Sequence, residues 1–495
     1  MNAQLALVAV LAAFAGGGVF TYYVFGPGTA SEGPSEPSSQ GAKPGAPAAP
    51  QSNPQRGGAA KPSTSEVPRM PGVPVEADTE KGFFHKAPEW LIEADKQAAT
   101  NDPSQVAADT PYHNAVRPAP LVQGVTRYDA EKAYDGVNLV ISAHRPEAAL
   151  VDMKGRLLHT WTLEYGKAFK VPKKFFEWTP HQTSWRRVHV YPNGDLLAIF
   201  EGIGMVKLDA DSNLLWKHGG RAHHDIFVDD DGLIHTLARS VTKNRMFPVP
   251  ILEDFVLVIS PDGKTVERHS LLEALYDSPF RWFTSLIPNI NDIFHANTVE
   301  VLDGRLADRI PAFAAGNWLV SMRNLDTIAV IDRETKRCVW AMAGQWKMQH
   351  QPTVLENGNV LLFDNMGVRG APGGGSRVIE FDPATREIHW SYQGTKKETF
   401  DTPYLGSSSR LPNGNTLITE SVTGRAFEVT RDGEIVWEYV NPHRGGDNNE
   451  LIATLCEVVR LEWSDVDFGA VREARQQLEN EIEIEGAEQL LEKGK

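Results

Sequence analysis

Cysteine is nearly absent from the chain, which has only Cys338 and Cys456 in 495 residues. Two cysteines cannot build the disulfide framework of a small secreted scaffold. Both lie in apolar, strand-like stretches, so we predict buried thiols, and their spacing does not decide whether they pair. Positive charge is also scarce, since the formal net charge is −15 and Lys and Arg never stand in runs longer than two. Nucleic-acid binding needs basic patches against phosphate, so we expect no nucleic-acid partner.

Long apolar runs are missing except near the N-terminus. Residues 5–25 carry no charged side chain and are long enough to cross a bilayer as a helix of about 20 residues. A cleaved signal peptide is the competing interpretation, but no positive n-region precedes the run and Tyr22 and Tyr23 suit a membrane interface. We therefore predict an uncleaved transmembrane anchor, whose orientation the flanking charges do not decide.

Large apolar residues are almost absent from residues 26–75, which are rich in Pro, Gly, Ala and Ser. Such a segment cannot bury enough surface to offset its ordering entropy, so we predict a disordered linker. Residues 76–123 are predicted to be an N-terminal extension with one short helix, at 88–98. Residues 464–495, rich in Glu and helix formers, are predicted to be a helical tail that binds a partner or is simply solvated. The folded domain is therefore expected at 124–463.

An internal repeat of about 40 to 50 residues runs through this domain and indicates propeller blades. One copy reads HQPTVLENGNVLLFDN followed by SRVIEFDPATREIHWSY, and the next reads SSSRLPNGNTLITES followed by GRAFEVTRDGEIVWEYV. Each copy predicts four strands joined by tight turns. Three weaker copies and one partial first copy precede them, and a strand at 451–461 could close the ring. We predict an all-β fold, a six-bladed β-propeller, with five or seven blades as alternatives.

The repeat also assigns structural roles to its other recurrent features. Trp216, Trp340, Trp390 and Trp437 recur in the fourth strands and are predicted to pack between blades. The DDDG sequence at 229–232 aligns with the hairpin turns of other copies, so we predict a turn there and no calcium site.

Histidines occupy matched positions in three successive blades. The first strand of each blade lines the central channel, so equivalent positions lie at one height around the axis. His224 and His350 each lie eight residues before their turn glycine, and His295 lies nine before its own. We predict that the three meet at one rim of the channel.

The second strand of each blade runs back to the same rim about seven residues after the turn glycine. This position holds Arg239, Arg323 and Asn365. Asn297 follows His295 by two residues and should share its face of the strand, and His223 adjoins His224. We predict that His350, His295, His224 and Arg323 are catalytic and that Asn297, Arg239, Asn365 and His223 bind substrate. The combination of imidazoles and a fixed cation suits transfer of an anionic group.

Four motifs, HHDI, DIFHANTV, SMRNLDTIAVID and QHQPTVLENGNVLLFDN, resemble those of the bacterial arylsulfotransferases, over roughly residues 124–440. These are PAPS-independent enzymes that move a sulfuryl group between phenols. The resemblance implies that His350 is transiently sulfurylated in a ping-pong reaction, assisted by His224, His295 and Arg323. It also implies aryl sulfate and phenol substrates and no cofactor. Because the family is typically exported, it implies a propeller on the periplasmic or extracytoplasmic side of the membrane.

The chain also departs from the family's larger members, which carry an additional N-terminal β domain and a disulfide near the active site. Here an apolar segment and linker precede the propeller, and no cysteine is near His350 in the sequence. The chain resembles the shorter, membrane-anchored members instead. Its donor range, dimerisation and oligomeric state stay open.

Two other functions remain open from the residues alone. Three histidines around an axis could bind zinc or copper, although a neighbouring arginine favours an oxyanion over a metal, and we predict no metal. A non-catalytic propeller could instead serve as a tethered platform for a ligand or protein partner.

Overall fold

The computed structural model describes residues 114–170, 184–288, 292–368, 370–445, 448–477 and 480. The predicted anchor at 5–25, the linker at 26–75 and the helix at 88–98 lie outside these residues. Within the described ranges, no helix is long and apolar enough to span a bilayer.

Short strands with almost no helix make up the described chain. In chain order the strands are β1 (Asn114–Pro118), β2 (Gly124–Tyr128), β3 (Val137–Ser142), β4 (Glu147–Val151), β5 (Leu157–Thr162), β6 (Trp185–Val190), β7 (Leu196–Phe200), β8 (Gly204–Leu208), β9 (Leu214–His218), β10 (Ala222–Val228), β11 (Ile234–Thr242), β12 (Ile251–Ile259), β13 (Thr265–Ser270), β14 (Ala296–Val301), β15 (Trp318–Met322), β16 (Thr327–Asp332), β17 (Arg337–Ala343), β18 (His350–Val354), β19 (Val360–Asp364), β20 (Arg377–Phe381), β21 (Ile388–Gln393), β22 (Ser407–Arg410), β23 (Thr416–Glu420), β24 (Arg425–Val429), β25 (Ile435–Val440), β26 (Arg444–Gly445), β27 (Leu451–Ala453) and β28 (Leu455–Leu461). The short helices are α1 (Tyr165–Ala168) and α2 (Leu271–Tyr276), with 3-10 turns at Arg281–Leu286, Pro311–Phe313, Arg323–Leu325, Ser421–Thr423 and Trp463–Val466.

The strands form six antiparallel blades, which confirms the predicted propeller. Blade 1 has the order β28-β3-β4-β5, blades 2 to 5 are β6–β9, β10–β13, β14–β17 and β18–β21, and blade 6 is β22–β25 with β2 added outside. The innermost strands of neighbouring blades contact one another in the cyclic order β28, β6, β10, β14, β18, β22 and back to β28. The late strand predicted at 451–461 therefore closes the ring by supplying the innermost strand of the first blade.

Tight turns that contain a glycine of positive φ join the first two strands of blades 2, 3, 5 and 6. In blade 5 the turn ends at Gly358, with φ +80°, where a Cβ would lie 2.8 Å from the side chain of Leu306. The DDDG sequence forms the equivalent turn of blade 3, as predicted, because Asp229 Oδ1 accepts hydrogen bonds from the backbone N–H groups of Asp231 and Leu233.

Tryptophans of the fourth strands hold neighbouring blades together. Their indole N–H groups donate to backbone carbonyls in turns of the next blade: Trp161 to Gly194 (2.9 Å), Trp216 to Pro261 (3.0 Å), Trp390 to Arg431 (2.8 Å) and Trp437 to Met153 (3.0 Å). Trp340 instead packs edge-on against Phe313, with ring centroids 5.0 Å apart. The predicted packing between blades is confirmed for Trp216, Trp390 and Trp437, whereas the contact of Trp340 with Phe313 lies within blade 4.

Buried charged side chains face one another in the channel, one residue along the inner strands from the rim. Arg187 of blade 2 forms ion pairs with Glu457 of blade 1 and with Asp225 of blade 3, the latter at 3.0 Å. Asp225 also accepts the backbone N–H of Val299 in blade 4 at 3.0 Å. Burial alone would lower the pKa of Arg187. The carboxylates of Asp225 and Glu457 outweigh this effect and raise the pKa above its ordinary value. The network joins the inner strands of four blades.

Both cysteines are free and buried. Burial raises the pKa of Cys338 to about 12 and that of Cys456 to about 11. The prediction of buried thiols is confirmed for both residues.

The segments that flank the propeller make contacts that the sequence did not predict. In the predicted N-terminal extension, β1 pairs with β27, and β27 pairs in turn with β26 to complete a small three-stranded sheet. In the predicted tail, residues 469–477 are helical, and Phe468 and Val471 are buried in the core shared by blades 1 and 2. The start of the tail is therefore part of the propeller's packing.

The seam between blades 6 and 1 should depend on Trp437, which is fully buried. We expect Trp437→Ala to lower the free energy of unfolding by about 3–5 kcal/mol through cavity formation. Trp437→Phe, which keeps an aromatic ring but removes the N–H, should cause a smaller loss, about 1 kcal/mol of it from the missing hydrogen bond. Urea denaturation of the two variants tests this, and unchanged stability of Trp437→Phe would contradict a role for the hydrogen bond.

Candidate active site

The rim of the channel, where the inner strands begin, carries a β-bulge in five of the six blades. The register shifts lie at Trp185/Arg187, His223/Ile226, Ala296/Thr298, His350/Thr353 and Leu455/Glu457. Bulges re-aim side chains and are frequent beside functional sites. His224, His295 and Gln351 at this rim have left-handed backbones, with φ of 61°, 49° and 46°. For non-glycine residues this conformation is strained and marks the rim as a candidate site.

A cavity of about 120 Å³ opens at the rim. Its lining combines cations, imidazoles, a carboxylate and apolar walls: Arg186, Glu201, His224, Arg239, His295, Trp185, Leu405 and Cys456. Two of the three predicted histidines, with Arg239, therefore face one cavity.

His224 is held by a carboxylate and a second imidazole. Its Nδ1 lies 3.1 Å from Glu201 Oε1 and 2.9 Å from His223 Nδ1, and its backbone N–H donates to Glu201 Oε2 at 3.0 Å. His223 Nε2 lies 3.2 Å from Asp254 Oδ1, which favours a proton on that nitrogen. His223 Nδ1 is then an acceptor, so the proton between the rings belongs to His224 Nδ1. Neutral His224 would therefore carry its lone pair on Nε2.

Glu201 contacts one fixed cation, Arg239, in addition to His224. Arg239 lies 3.1 Å from Glu201 Oε1. Burial alone would raise the pKa of Glu201, but His224 and the Arg239 guanidinium hold it well below its usual range. Burial lowers the pKa of His224 well below its ordinary value despite the opposing effect of Glu201. Glu201 is thus an ionised carboxylate that orients His224.

His295 forms a dyad with Asp292. Its Nδ1 lies 2.5 Å from Asp292 Oδ2, and its backbone N–H donates to Asp292 Oδ1 at 3.1 Å. Burial would raise the pKa of Asp292, but the hydrogen bond to His295 lowers it to about 2. Because the ionised carboxylate holds the Nδ1 proton, His295 Nε2 carries the lone pair of the neutral ring and can accept a proton. The His295 and His224 rings meet edge to face, with centroids 4.9 Å apart.

His350 is buried, and it is not among the residues that line the cavity. Its Nδ1 lies 2.8 Å from Asn365 Oδ1 and 3.2 Å from the carbonyl of Met348. Asn365 Nδ2 donates to the carbonyls of Thr402 and Leu405 at 2.7 and 2.6 Å, which fixes the orientation of its amide. Both partners of His350 Nδ1 are therefore acceptors, so Nδ1 carries the proton and Nε2 carries the lone pair.

Cations surround His350 and keep it neutral. Burial lowers the pKa of His350 well below its ordinary value, and Arg323, Arg186 and His295 act in the same direction. Arg323 begins the 3-10 turn after β15 and donates to Asn324 Oδ1 at 3.2 Å. These charges join His350 electrostatically to the residues of the cavity. Leu405 joins them structurally, because its side chain lines the cavity and its carbonyl accepts from Asn365.

The residues predicted to bind substrate make internal contacts at the rim. Asn297 Nδ2 donates to the carbonyl of Gln349 at 2.8 Å and so connects blade 4 to the residue before His350. Asn365 orients His350, and His223 orients His224. Arg239 alone of this set lines the cavity. Their contact with substrate stays a prediction.

Several residues of the site were missed by sequence reasoning. Arg186 lies eight residues before Gly194, and Glu201 lies seven after it, so the same register rule applied to blade 2 would have found both. Asp292 lies in the loop before β14, outside the repeat. Cys456 lines the cavity because β28 closes the ring, although it is distant from the histidines in sequence.

The three predicted histidines do not form a metal-ligand set in the described part of the chain. The ligand atoms close enough to share an ion at the rim belong instead to Glu201, His223 and His224. These atoms already face one another, Asp254 and Arg239. These atoms therefore already take part in the contacts that orient His224.

Residues 187–442, just over half of the chain, match the sequence model of the family described as arylsulfotransferase (ASST). No curated protein sequence matches significantly. Among solved structures, the chain is similar to a protein of unknown function from Bacteroides caccae, with 12% identity, 66% of this chain and 98% of that chain covered, and a TM-score of 0.43. It is also similar to virginiamycin B lyase from Staphylococcus aureus, with 11% identity, 52% and 69% covered, and a TM-score of 0.31.

The proton assignment at His350 can be tested by converting its amide partner to a carboxylate. In Asn365→Asp, a negative charge would stand next to Nδ1 and stabilise the imidazolium, so the pKa of His350 should rise toward its ordinary value. Histidine-selective ¹⁵N NMR over a pH series measures both the tautomer and the pKa. Asn413→Asp, at an exposed turn, controls for the added charge. A wild-type proton on Nε2, or an unchanged pKa in Asn365→Asp, would refute the assignment.

Proposed function

Because the chain belongs to the arylsulfotransferase family, we propose that it transfers a sulfuryl group from an aryl sulfate to a phenol through a sulfo-histidine at His350. The observation that carries this proposal is the state of His350. It is a neutral imidazole with its proton fixed on Nδ1, which leaves Nε2 as the nucleophile. Neutral imidazole is nucleophilic and can leave again from an N-sulfo intermediate.

In the first half-reaction, His350 Nε2 attacks the sulfur of the aryl sulfate. The N–S bond forms as the S–O bond to the aryl group breaks, and its electron pair leaves with the phenolate. In the second half-reaction, the acceptor's phenolic oxygen attacks the same sulfur, and the N–S electron pair returns to Nε2. Asn365 keeps the Nδ1 proton in place throughout, since its oxygen can only accept.

Fixed cations would stabilise the charge on the transferring group. Arginine remains protonated at all working pH values and presents a planar fork that fits sulfuryl oxygens. Arg186 lines the cavity, and both it and Arg323 act electrostatically on His350. Preorganised cations in a site that excludes water lower the barrier more than the same charges in solution.

His295 is the residue best placed to transfer the phenolic proton. Its Nδ1 proton is held by ionised Asp292, and the residue lines the cavity. We propose that His295 Nε2 protonates the departing phenolate and then takes the proton of the acceptor phenol. His224, oriented by Glu201, would bind the sulfuryl or phenolic oxygen.

The two rival functions explain less of the rim. A binding platform would not require a buried imidazole of lowered pKa near two arginines, which is the kind of perturbation found at catalytic sites. A metal held by the three histidines would lie beside Arg186 and Arg323, and the fixed cations would repel it. Sulfuryl transfer uses the cations and the neutral imidazole together.

The catalytic proposal predicts that His350→Asn abolishes transfer from 4-nitrophenyl sulfate to phenol in the absence of any nucleotide. We expect a loss of at least about 1000-fold in kcat/KM, because the nucleophile is removed while the remaining site stays in place. Release of 4-nitrophenol and formation of phenyl sulfate measure the two products.

His389→Asn provides the matched control, since His389 lies exposed on β21. With a ³⁵S-labelled donor and no acceptor, the wild type and the control should retain label on the chain, and His350→Asn should not. Undiminished turnover in His350→Asn, or no transfer by the wild type across a broad panel of aryl sulfates, would refute the proposal.

We also propose that residues 5–25 anchor the protein in a membrane with the propeller on the extracytoplasmic side. The support is the uncharged apolar run, together with the export that is typical of the family. The chain should remain in the membrane pellet after alkaline carbonate extraction, and protease added to spheroplasts should degrade the propeller. A variant without residues 1–26 should be released. Extraction of the full chain, or protection of the propeller from protease, would show the topology to be wrong.

A further inference from the structure

Blades 1 and 2 together form one wall of the rim cavity. Trp185 and Arg186, at the start of β6, belong to blade 2, and Thr454 directly precedes β28 of blade 1. Consecutive side chains of a regular strand point to opposite faces. The register shift between Trp185 and Arg187 breaks this alternation, so that Trp185 and Arg186 both border the cavity. We call Trp185, Arg186 and Thr454 the blade 1–2 wall.

Each residue of the blade 1–2 wall has a buried polar atom without a partner. Trp185 Nε1, Arg186 Nε and Thr454 Oγ1 form no hydrogen bond with any described residue. Trp185 and Thr454 are also almost inaccessible as whole residues, at 0% and 1% exposed. Unpaired buried polar atoms are destabilising and uncommon in folded proteins. Three of them beside one cavity therefore indicate that a bound molecule completes their hydrogen bonds.

The blade 1–2 wall offers mainly hydrogen-bond donors. Indole and guanidinium nitrogens can only donate, and the threonine hydroxyl can donate as well as accept. Among the described residues, Arg186 forms no ion pair, whereas Arg239, the other arginine that lines the cavity, pairs with Glu201. Water could accept these hydrogen bonds, but it would leave the charge of Arg186 unpaired. The wall therefore fits an anion better than it fits water.

The blade 1–2 wall lies across the channel from the proposed nucleophile. In the ring of six blades, blade 2 faces blade 5, which carries His350, and blade 1 faces blade 4. Of the two arginines that act on His350, Arg323 has the larger effect, and it follows β15 of blade 4. The transferring sulfuryl group is therefore expected on the side of blades 4 and 5. The blade 1–2 wall would face the other end of the substrate.

The cavity has room for about one aromatic ring. Its volume is about 120 Å³, close to the ~150 Å³ of an engineered apolar cavity that binds benzene. Trp185 and Leu405 give it apolar walls. A single-ring aryl sulfate with its sulfuryl group at His350 would thus direct the opposite substituent of the ring toward the blade 1–2 wall.

We propose that the blade 1–2 wall binds an anionic substituent on the aromatic ring of the substrate, with a carboxylate as the probe. Arg186 would pair with the carboxylate, while Trp185 Nε1 and Thr454 Oγ1 would donate hydrogen bonds to its oxygens. The substrate class would be phenols, and their sulfate esters, that carry this anion opposite the reacting oxygen. The inference rests on the proposed sulfuryl transfer. The five N–H donors of a guanidinium leave Arg186 able to act on the sulfuryl group as well.

The test compares binding of 4-hydroxybenzoate and 4-hydroxybenzamide to the full-length protein by calorimetry, because the two ligands have nearly the same shape but differ in charge. We expect the wild type to bind the carboxylate about tenfold more tightly than the amide. Arg186→Gln should remove this preference. Trp185→Phe and Thr454→Val should each reduce it about threefold. Equal affinities for the two ligands in the wild type, or no binding of either, would overturn the proposal.

Arg305→Gln is the matched control and should keep the full preference, since Arg305 lies in the turn after Gly304, at the far end of β14 from the rim. If Arg305→Gln loses the preference as Arg186→Gln does, the proposal is wrong. Should Trp185→Phe fail to fold, Arg186→Gln and Thr454→Val decide.

The sulfate esters of the two ligands separate this proposal from the proposed function. Arg186→Gln should lower kcat/KM for the carboxylate ester about tenfold more than for the amide ester. An equal loss for both esters would contradict the anion site while leaving sulfuryl transfer intact. Binding of 4-hydroxybenzoate that depends on Arg186, without transfer from either ester or from 4-nitrophenyl sulfate, would support the anion site and contradict the proposed function.

Discussion

Pairing of β28 with β3 is the contact on which the rest of the structure depends. It places the last strand of the chain innermost in the first blade and completes the ring of inner strands. Only in a closed ring do equivalent positions of different blades face one another across a channel at one height. The same strand brings Cys456 to the cavity and Glu457 to Arg187. Loss of this pairing would therefore disperse the site as well as expose two blade edges.

Closure also explains why strain can persist at the rim. His224, His295 and Gln351 keep left-handed backbones that cost roughly 1–3 kcal/mol each. The side chains beyond them compensate by linking blades: Arg187 and Asp225 join blades 2 and 3, and Thr298 Oγ1 accepts the backbone N–H of Gln351 at 2.9 Å. The left-handed backbones of the strained residues set the directions of their side chains. The contacts between Arg187 and Asp225 and between Thr298 and Gln351 hold the inner strands together.

The repeat predicted the blades because turn glycines and fourth-strand tryptophans are local signals. Its register also predicted His224 and His295 on one cavity, and it would have given Arg186 and Glu201 if blade 2 had been read in the same way. It could not give Asp292, which lies in a loop of irregular length, nor the orientation of Asn365, which depends on the carbonyls of Thr402 and Leu405. The strand β1 was not predicted because its partner β27 lies over 300 residues away in the sequence. The packing of Phe468 was missed because a Glu-rich segment predicts a solvated helix. Its few apolar residues give no sign in the sequence that they pack in the propeller core.

The partners of the histidines distinguish their proposed roles. His295 faces the carboxylate of Asp292, and His224 faces that of Glu201. A carboxylate at Nδ1 holds the proton on that nitrogen and fixes the orientation of the ring. His350 faces the neutral amide of Asn365, which fixes the tautomer equally well but adds no negative charge. With burial, Arg323 and Arg186 all opposing protonation, the lone pair on His350 Nε2 stays free. The nucleophile and the proton-transfer group that we propose at this rim are therefore the same residue type with Nδ1 partners of different charge.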